Sequence, residues 1–302
     1  MTPVVAAVVV TYNRIELLAE ALAALGAQTR RPDRIVVVDN ASGDGTAEMV
    51  RTRFPDAELL ELSRNTGGAG GFAAGIAHAL KGDADWLWLM DDDTVPEPGA
   101  LAALLAAATG PDSDAPVLVG SRVVWTDGRD HPMNTPRRKP RASAAETERA
   151  AAVNGYPVRS ASFVSVLVDA VRVRERGLPV ADYFLWNDDF EFTMRLLRGR
   201  RGLVCRDSVV VHKTRTFGST DADPGERFYY EVRNKVWLFT RSSGLSPAER
   251  LVYGGSTLRR WARTFAGSRD RATLRRCLAR GLAEGLRSRP RPTADLLADL
   301  GV

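Results

Sequence analysis

The stretch WLWLMDDDTVP, Trp86 to Pro96, runs an apolar segment straight into three consecutive carboxylates. The apolar part reads as a buried strand and the acids as the turn at its end. Three adjacent carboxylates repel one another unless something screens them. Water is one answer, because Asp is common in solvated turns. A divalent cation is the other, because hard cations take oxygen ligands from clustered carboxylates and then draw in phosphates. The neighbouring segments decide between the two.

Upstream, VVAAVVV (Val4 to Val10) is a run of the kind buried on both faces, and it stops at Thr11-Tyr12-Asn13. Leu17, Leu18, Ala21, Leu22 and Leu25 then recur at helical spacing up to Gly26. IVVVDNASGDGT repeats the design, with a strand Ile35 to Val38, a turn from Asp39 and a helix from about Thr46. AELLEL reads as a third strand before the glycine-rich SRNTGGAGGF, and a helix from about Phe72 to Leu80 leads into the strand that ends in the triplet. This β-α-β-α-β-α-β order predicts an α/β fold with a mostly parallel sheet and helices on both faces. Ligands of such sheets bind at the carboxyl ends of the strands. Thr11 to Arg14, Asp39-Asn40, Asn65 to Gly71 and Asp91 to Asp93 should therefore converge on one edge.

With 302 residues, 44% of them hydrophobic, the chain can bury one sizeable core. A formal charge of +5 suits an anionic partner: a nucleotide, a nucleic acid or a membrane surface. Cys205 and Cys277 lack the spacing of a zinc site and are too few for a disulfide framework, which fits a reducing cytoplasm. Val4 to Val10 lacks the flanks of a signal peptide, and no stretch approaches the ~20 apolar residues of a membrane span.

VVVTYNR, VVVDNASGDGT, RNTGGAGGF, Asp91-Asp92-Asp93, WNDDFEF and VVHK together make residues 4 to 240 resemble glycosyltransferase family 2. The glycine-rich run followed by the triplet looks most like its galactofuranosyltransferase and rhamnosyltransferase branch. The resemblance implies a Rossmann-like GT-A fold and inverting transfer of a sugar from a pyrimidine nucleoside diphosphate to an acceptor hydroxyl. UDP-galactofuranose is the first donor it suggests and dTDP-rhamnose the second, with a lipid-linked saccharide or small molecule as acceptor. It divides the chain into a transferase domain, 1–240, with a donor half to about 124 and an acceptor half from about 125, and a basic helical extension, 241–302.

Carried onto this sequence, the resemblance places a divalent Mn2+ or Mg2+ at Asp91, Asp93 and His212, with Asp91 also on the ribose side. Asp92 would face solvent or brace the loop, within reach of the nucleotide. Asp39 would accept hydrogen bonds from the base or ribose, and Thr11, Tyr12, Asn13 and Arg14 would frame base and phosphate. Asn65, Gly67, Gly68 and Gly71 would let backbone N–H groups approach the diphosphate. An inverting transferase needs a base on the face opposite the leaving group. Motif position makes Asp189 that base, with Trp186, Asn187, Asp188 and Glu191 on acceptor or donor hydroxyls. Read without the resemblance, Asp188 and Asp189 only stabilise a helix N-terminus.

Two other classes compete. Asp91 to Val95 also fits the D-x-D-x-[TV] signature of haloacid-dehalogenase-like phosphatases, although there the signature normally ends the first strand. A non-catalytic nucleotide-binding protein would use the same loops. DHPMNTPRRKPRAS, within a basic stretch from Trp125 to Ser160, reads as a mobile loop or lid before the strand-like SFVSVLVD. LRRWARTF, RDRATLRRCLARGL and LRSRPRP fit either an interfacial helix on anionic membrane or helices packed on the core. No nucleic-acid motif accompanies the charge, so the expected location is cytoplasmic, with a peripheral membrane contact as one reading of the tail.

Overall fold

A computed structural model of the chain describes residues 2–108, 115–133, 135–136, 138–217 and 223–302. The chain opens as β1 (Val5–Thr11), α1 (Ile15–Gly26), β2 (Arg34–Asp39), α2 (Thr46–Arg53), β3 (Glu58–Glu61), α3 (Gly67–Ala79) and β4 (Trp86–Asp91). These four strands pair in parallel in the order β3-β2-β1-β4. Strand β1 shows why both faces are covered: Ala6, Val8 and Val10 enter one apolar cluster, while Val5, Ala7 and Val9 enter another. Successive side chains of a strand point to opposite faces, so a run without polar residues needs a helix layer on each side. Leu18, Leu22 and Leu25 of α1 with Met49 and Val50 of α2 cover one, and Phe72, Ala73 and Ile76 of α3 cover the other.

The remainder of the sheet is mixed. After β5 (Thr94–Pro96) and α4 (Ala100–Ala108) come β6 (Leu118–Val124), α5 (Ala144–Ala152), β7 (Gly155–Val158), β8 (Val166–Asp169), α6 (Ala170–Arg176), α7 (Asp188–Leu196) and β9 (Gly202–His212). Strand β8 runs antiparallel to both β4 and β6, β9 runs parallel to β6, and β5 and β7 pair antiparallel with β9. The parallel order expected from the repeated βα pattern thus holds for the first four strands and gives way beyond them.

Two expectations change. Helix α3 starts at Gly67, inside the run read as a loop, because the glycines serve packing. A Cβ on Gly75 would lie 2.5 Å from Val8 Cγ1 and 2.7 Å from Val38 Cγ2, and one on Gly71 would lie 2.5 Å from Val10 Cγ1. The helix sits closer to the sheet than any side chain at those positions allows. The basic stretch 125–160 also holds real structure. Ser143 and Glu146 form a capping box at the start of α5, and β7 joins the sheet edge. Residues 134 and 137 of that stretch lie outside the described residues.

Beyond the sheet, α8 (Phe228–Arg241), α9 (Pro247–Gly267), α10 (Arg271–Arg287) and α11 (Thr293–Ala298) follow. Helix α10 packs tightly on α8, since a Cβ at Gly281 or Gly285 would meet Val232 or Val236 at under 3.0 Å. Leu296 and Leu297 of α11 return to the cluster beneath α3. Among the described residues no helix is long and apolar enough to cross a membrane, and both cysteines are free and buried.

Candidate active site

Pairing register brings the first group of site residues together. Val10 of β1 stands opposite Asp91 of β4, and Thr94 of β5 opposite His212, the last residue of β9. The triplet therefore lies between the loop after β1 and the end of β9. Asp91, Asp93 and His212 each offer a ligand atom, and these atoms all lie within 4.8 Å of one another. His212 Nε2 is 3.1 Å from Asp93 Oδ1. Arg14 reaches across, with Nη1 3.0 Å from Asp92 Oδ1 and 2.6 Å from Asp93 Oδ2.

The three acids differ in electrostatics. Burial, then repulsion from Asp93 and Asp92, pushes the Asp91 carboxyl well above the usual range. Asp92 is pushed up to about 6, chiefly by burial, against the pull of Arg14. Burial also works against ionised Asp93, yet His212 and Arg14 outweigh it and hold that carboxyl low. Two carboxylates and an imidazole form an oxygen-and-nitrogen donor set of the kind that suits Mn2+. An added cation would also relieve the repulsion on Asp91, so the residues fit a divalent ion.

Asp92 is a brace and does not face solvent. Its Oδ2 accepts from the Thr11 hydroxyl at 2.8 Å and from the Tyr12 N–H at 3.4 Å, tying the β1 loop to the triplet. Asn13, at φ 52°, accepts from the Gly43 N–H and so joins the loops after β1 and β2. Buried Asp39 accepts from the Ser42 N–H at 2.9 Å. Tyr12 is exposed beside these groups.

Asn40 organises the glycine run, a role beyond those expected of the nucleotide loop. Its Oδ1 accepts from the Thr66 N–H at 2.8 Å and its Nδ2 donates to the Gly67 carbonyl at 2.8 Å. Asn65 closes the same turn by accepting from the Gly67 N–H. Gly67 takes φ +67°, and a Cβ there would fall 1.9 Å from the Phe184 carbonyl oxygen. Gly68 has open space around it, as a ligand-facing backbone requires. Gly71 does not; it meets Val10 and is accounted for by helix packing.

That Phe184 contact leads to the second carboxylate group. The Ala69 N–H donates to the Phe184 carbonyl at 3.2 Å, so the start of α3 is bonded to the loop before α7. Phe184 (φ 63°, ψ −62°) is the centre of a γ-turn closed by Leu185 N–H to the Tyr183 carbonyl at 2.7 Å. Trp186 and Asn187 follow at φ 65° and 67°. Positive φ at three non-glycine residues within four positions is strained and persists only where surroundings impose it. Here α8 imposes it. Asn234, fully buried, donates from Nδ2 to the carbonyls of Tyr183, Leu185 and Trp186 at 2.8–2.9 Å. Arg233 Nη2 adds bonds to the carbonyls of Asp182 and Tyr183.

The loop delivers Asp188 and Asp189 to the first turn of α7. Burial and then the Asp189 charge push Asp188 up to about 8; burial pushes Asp189 up to about 6, opposed by the Phe190 N–H and by Lys235. Asp188 also contributes to the rise at Asp91, so the two carboxylate groups feel one another. Asn187 turns its amide to Glu231 of α8 at 2.9 Å. Glu191 departs from the acceptor role expected of it. It is buried with Oε1 accepting from Arg195 Nε at 2.9 Å and from the Ser242 hydroxyl at 2.8 Å, and Oε2 accepting from Arg195 Nη2. Both of its oxygens are spent on holding α7 to the chain around it.

A match to the glycosyl transferase family 2 model spans residues 6–169. The galactofuranosyltransferase GlfT1 of Mycobacterium tuberculosis is 34% identical over 260 residues, 80% of this chain and 84% of that protein. The chain belongs to glycosyltransferase family 2. An N-acetylglucosaminyl-diphospho-decaprenol L-rhamnosyltransferase of the same organism is 29% identical over 272 residues, 81% of this chain and 87% of that one. These relatives put the family 2 chain in the galactofuranosyl- and rhamnosyltransferase branch. Its fold is GT-A, shared with the Pyrobaculum calidifontis mannosyltransferase PcManGT in complex with GDP-Man and Mn2+ (TM-score 0.56, 20% identity, 99% of this chain and 79% of that one). Staphylococcus aureus TarS 1–349 in complex with UDP-GlcNAc is similar in the same way (TM-score 0.59, 18% identity, 92% and 80%). The phosphatase reading falls with this, since the triplet ends the fourth strand after three βα units.

Arg233, Asn234 and Glu231 are the site residues that sequence reasoning passed over. Their signal was present in FYYEVRNKVWLF, where Glu231, Asn234, Lys235 and Leu238 share one helical face. Polar residues on the face that also carries a leucine mark a buried polar contact, but an amphipathic reading assigns them to water.

Proposed function

We propose that this glycosyltransferase moves a sugar from a pyrimidine nucleoside diphosphate to a hydroxyl of a lipid-linked saccharide, with inversion. UDP-galactofuranose is the first choice of donor and dTDP-rhamnose the second. The observation that carries the reading is the meeting of two unlike carboxylate groups, near enough for the Asp188 charge to raise Asp91, beside the Ala69–Phe184 hydrogen bond that ties the start of α3 to the loop before Asp188. The names of the two relatives support the donors, and the diphospho-decaprenol acceptor in one of those names supports a lipid-linked substrate. In this reading residues 1–124 serve the donor, 125–240 the acceptor, and 241–302 form an extension.

Asp39, Asn13 and Tyr12 hold the base and ribose, and Arg14 sits where a diphosphate would approach. Asp91, Asp93 and His212 would hold a Mn2+ or Mg2+ ion, which supplies positive charge to the departing diphosphate. Asp189 removes the proton of the acceptor hydroxyl. A carboxyl raised to about 6 is still ionised at neutral pH and is a stronger base than an ordinary aspartate. Asp188 and Trp186 flank it on the acceptor side, and Asn187 fixes the loop through Glu231.

A thermal-shift screen of nucleotide sugars with Mn2+ and Mg2+ tests this, because a ligand bound only by the native state raises its midpoint. UDP-galactofuranose should give the largest rise, and only with a divalent ion present. A larger rise with dTDP-rhamnose selects the second donor; a rise with purine nucleotides alone refutes both.

A further inference from the structure

Charge is divided unevenly along this chain. Residues 241–302 hold thirteen arginines and five carboxylates, a balance of +8, whereas residues 1–240 hold 29 basic and 32 acidic residues, a balance of −3. Four of the five tail carboxylates are engaged locally. Glu249 pairs with Arg159 and caps α9, Asp270 caps α10, Glu284 bonds Tyr229 and Arg233, and Asp299 pairs with Arg291. Of the thirteen arginines, Arg260 and Arg276 reach Glu231 and Glu226 outside the segment and Arg291 pairs with Asp299, so most of the charge is left over.

Helix α9 carries this charge beside an apolar face. Its inner side is committed: Tyr253 meets the Phe190 ring edge-on at 5.3 Å, Trp261 packs on Phe228, and Arg260 and Trp261 Nε1 both donate to Glu231. Its other side is bare. Leu251, Val252 and Leu258 are 80%, 68% and 65% exposed, and Arg259 and Arg263 continue the same face at helical spacing. Of its 21 residues only Thr257 is buried.

We propose that the outer face of α9 docks on an anionic lipid surface. Leu251, Val252 and Leu258 enter the headgroup boundary and Arg259 and Arg263 meet the phosphates. An apolar stripe flanked by arginine is the composition that binds such an interface. A second copy of the chain suits the face less well, because two-fold pairing would set two +8 segments against each other. Glu231 bonds α9 on one side and Asn187 on the other, so docking would hold Asp188 and Asp189 at a fixed height above the lipid. This deepens the reading of a lipid-linked acceptor, and its failure is separable, because vesicle binding is measured without donor or acceptor.

The test is co-sedimentation of the full chain with phosphatidylglycerol and phosphatidylcholine vesicles. The wild type should bind phosphatidylglycerol and release it as salt rises. The triple variant Leu251→Gln, Val252→Gln, Leu258→Gln should bind at least roughly tenfold more weakly, with an unchanged melting midpoint and UDP affinity, since it alters only exposed positions. Arg259→Gln with Arg263→Gln should lose the preference for phosphatidylglycerol and provides a second route should the triple variant misfold. Equal binding by wild type and both variants overturns the proposal, as does equal binding to the two lipids. A wild-type dimer in sedimentation that the triple variant splits would assign the face to a second copy and overturn it too.

Discussion

The two carboxylate groups at the sheet edge are held in opposite ways. The triplet has a cation and an imidazole bonded into it, with Arg14 across Asp92 and Asp93 and His212 against Asp93. The pair at α7 is held by backbone strain and burial, and the charge of Lys235 only moderates Asp189. In the first arrangement those partners hold Asp93 low, while burial and repulsion raise Asp91 and Asp92. The second keeps its carboxyls near the middle of the pH range, where a proton can be taken up and released. In the proposed function phosphate handling falls to the triplet and proton handling to Asp189, and the charge of Asp188 is felt at Asp91.

The sharpest way to break this division is Asp189→Asn, which keeps shape but cannot accept a proton. Transfer should fall by roughly 10²–10⁴-fold with UDP affinity preserved in calorimetry. Wild-type transfer would return Asp189 to the role of helix-terminal acid. Asp93→Ala strikes the other group: turnover should drop by roughly 10²–10³-fold and the Mn2+ requirement should vanish with it. Unchanged Mn2+ affinity in that variant would remove Asp93 from the metal set.

Asn234→Ala tests what holds the second group in place. Three carbonyls lose their shared donor, which should cost about 1–3 kcal/mol of stability. The freed loop would let Asp189 drift, and a displacement near 1 Å can cost about 100-fold in rate. UDP affinity should stay the same, because Asn234 touches nothing on the nucleotide side. A variant that melts earlier but transfers normally would make the clamp purely structural.

What could be read in the sequence follows the same boundary. Strands β1, β2 and β4 are each built on an apolar run ending in a polar turn, so strand, turn and ligand edge are local facts, and Asp39, Asp91 and Asp93 stand out. His212 is legible only through the family pattern, since the pairing of β5 with β9 that delivers it spans more than 100 residues. The glycines mislead because one residue type serves two purposes: Gly68 opens space and Gly71 closes it. Glu191 misleads for a related reason. Its partners Arg195 and Ser242 become visible only once α7 is packed, so a carboxylate in an acidic motif looks available when it is spent. The clamp of Arg233 and Asn234 is the least legible part, because it acts on backbone carbonyls that have no sequence signature.

The smallest expected effect is on stability, and it separates Asp188 from Asp93 by sign. Asp188 has a folded-state pKa raised to about 8, above its ordinary value near 4, so the folded chain binds that proton more tightly than the unfolded chain does. Its contribution favours folding at low pH and is lost as pH rises through that window. Asp93, held low, contributes in the opposite sense: stability present above the ordinary carboxylate pKa and lost as pH falls toward the depressed value. Asp188→Asn should therefore flatten the decline in melting midpoint between about pH 5 and 8 and leave the acid limb unchanged. Asp93→Asn should weaken the acid limb, and it should also relieve Asp91 and Asp92 of the Asp93 charge, moving their part of the profile to lower pH. Melting curves of both variants in metal-free buffer decide it: identical pH profiles would mean that Asp188 and Asp93 are electrostatically alike, and the contrast between them would fail.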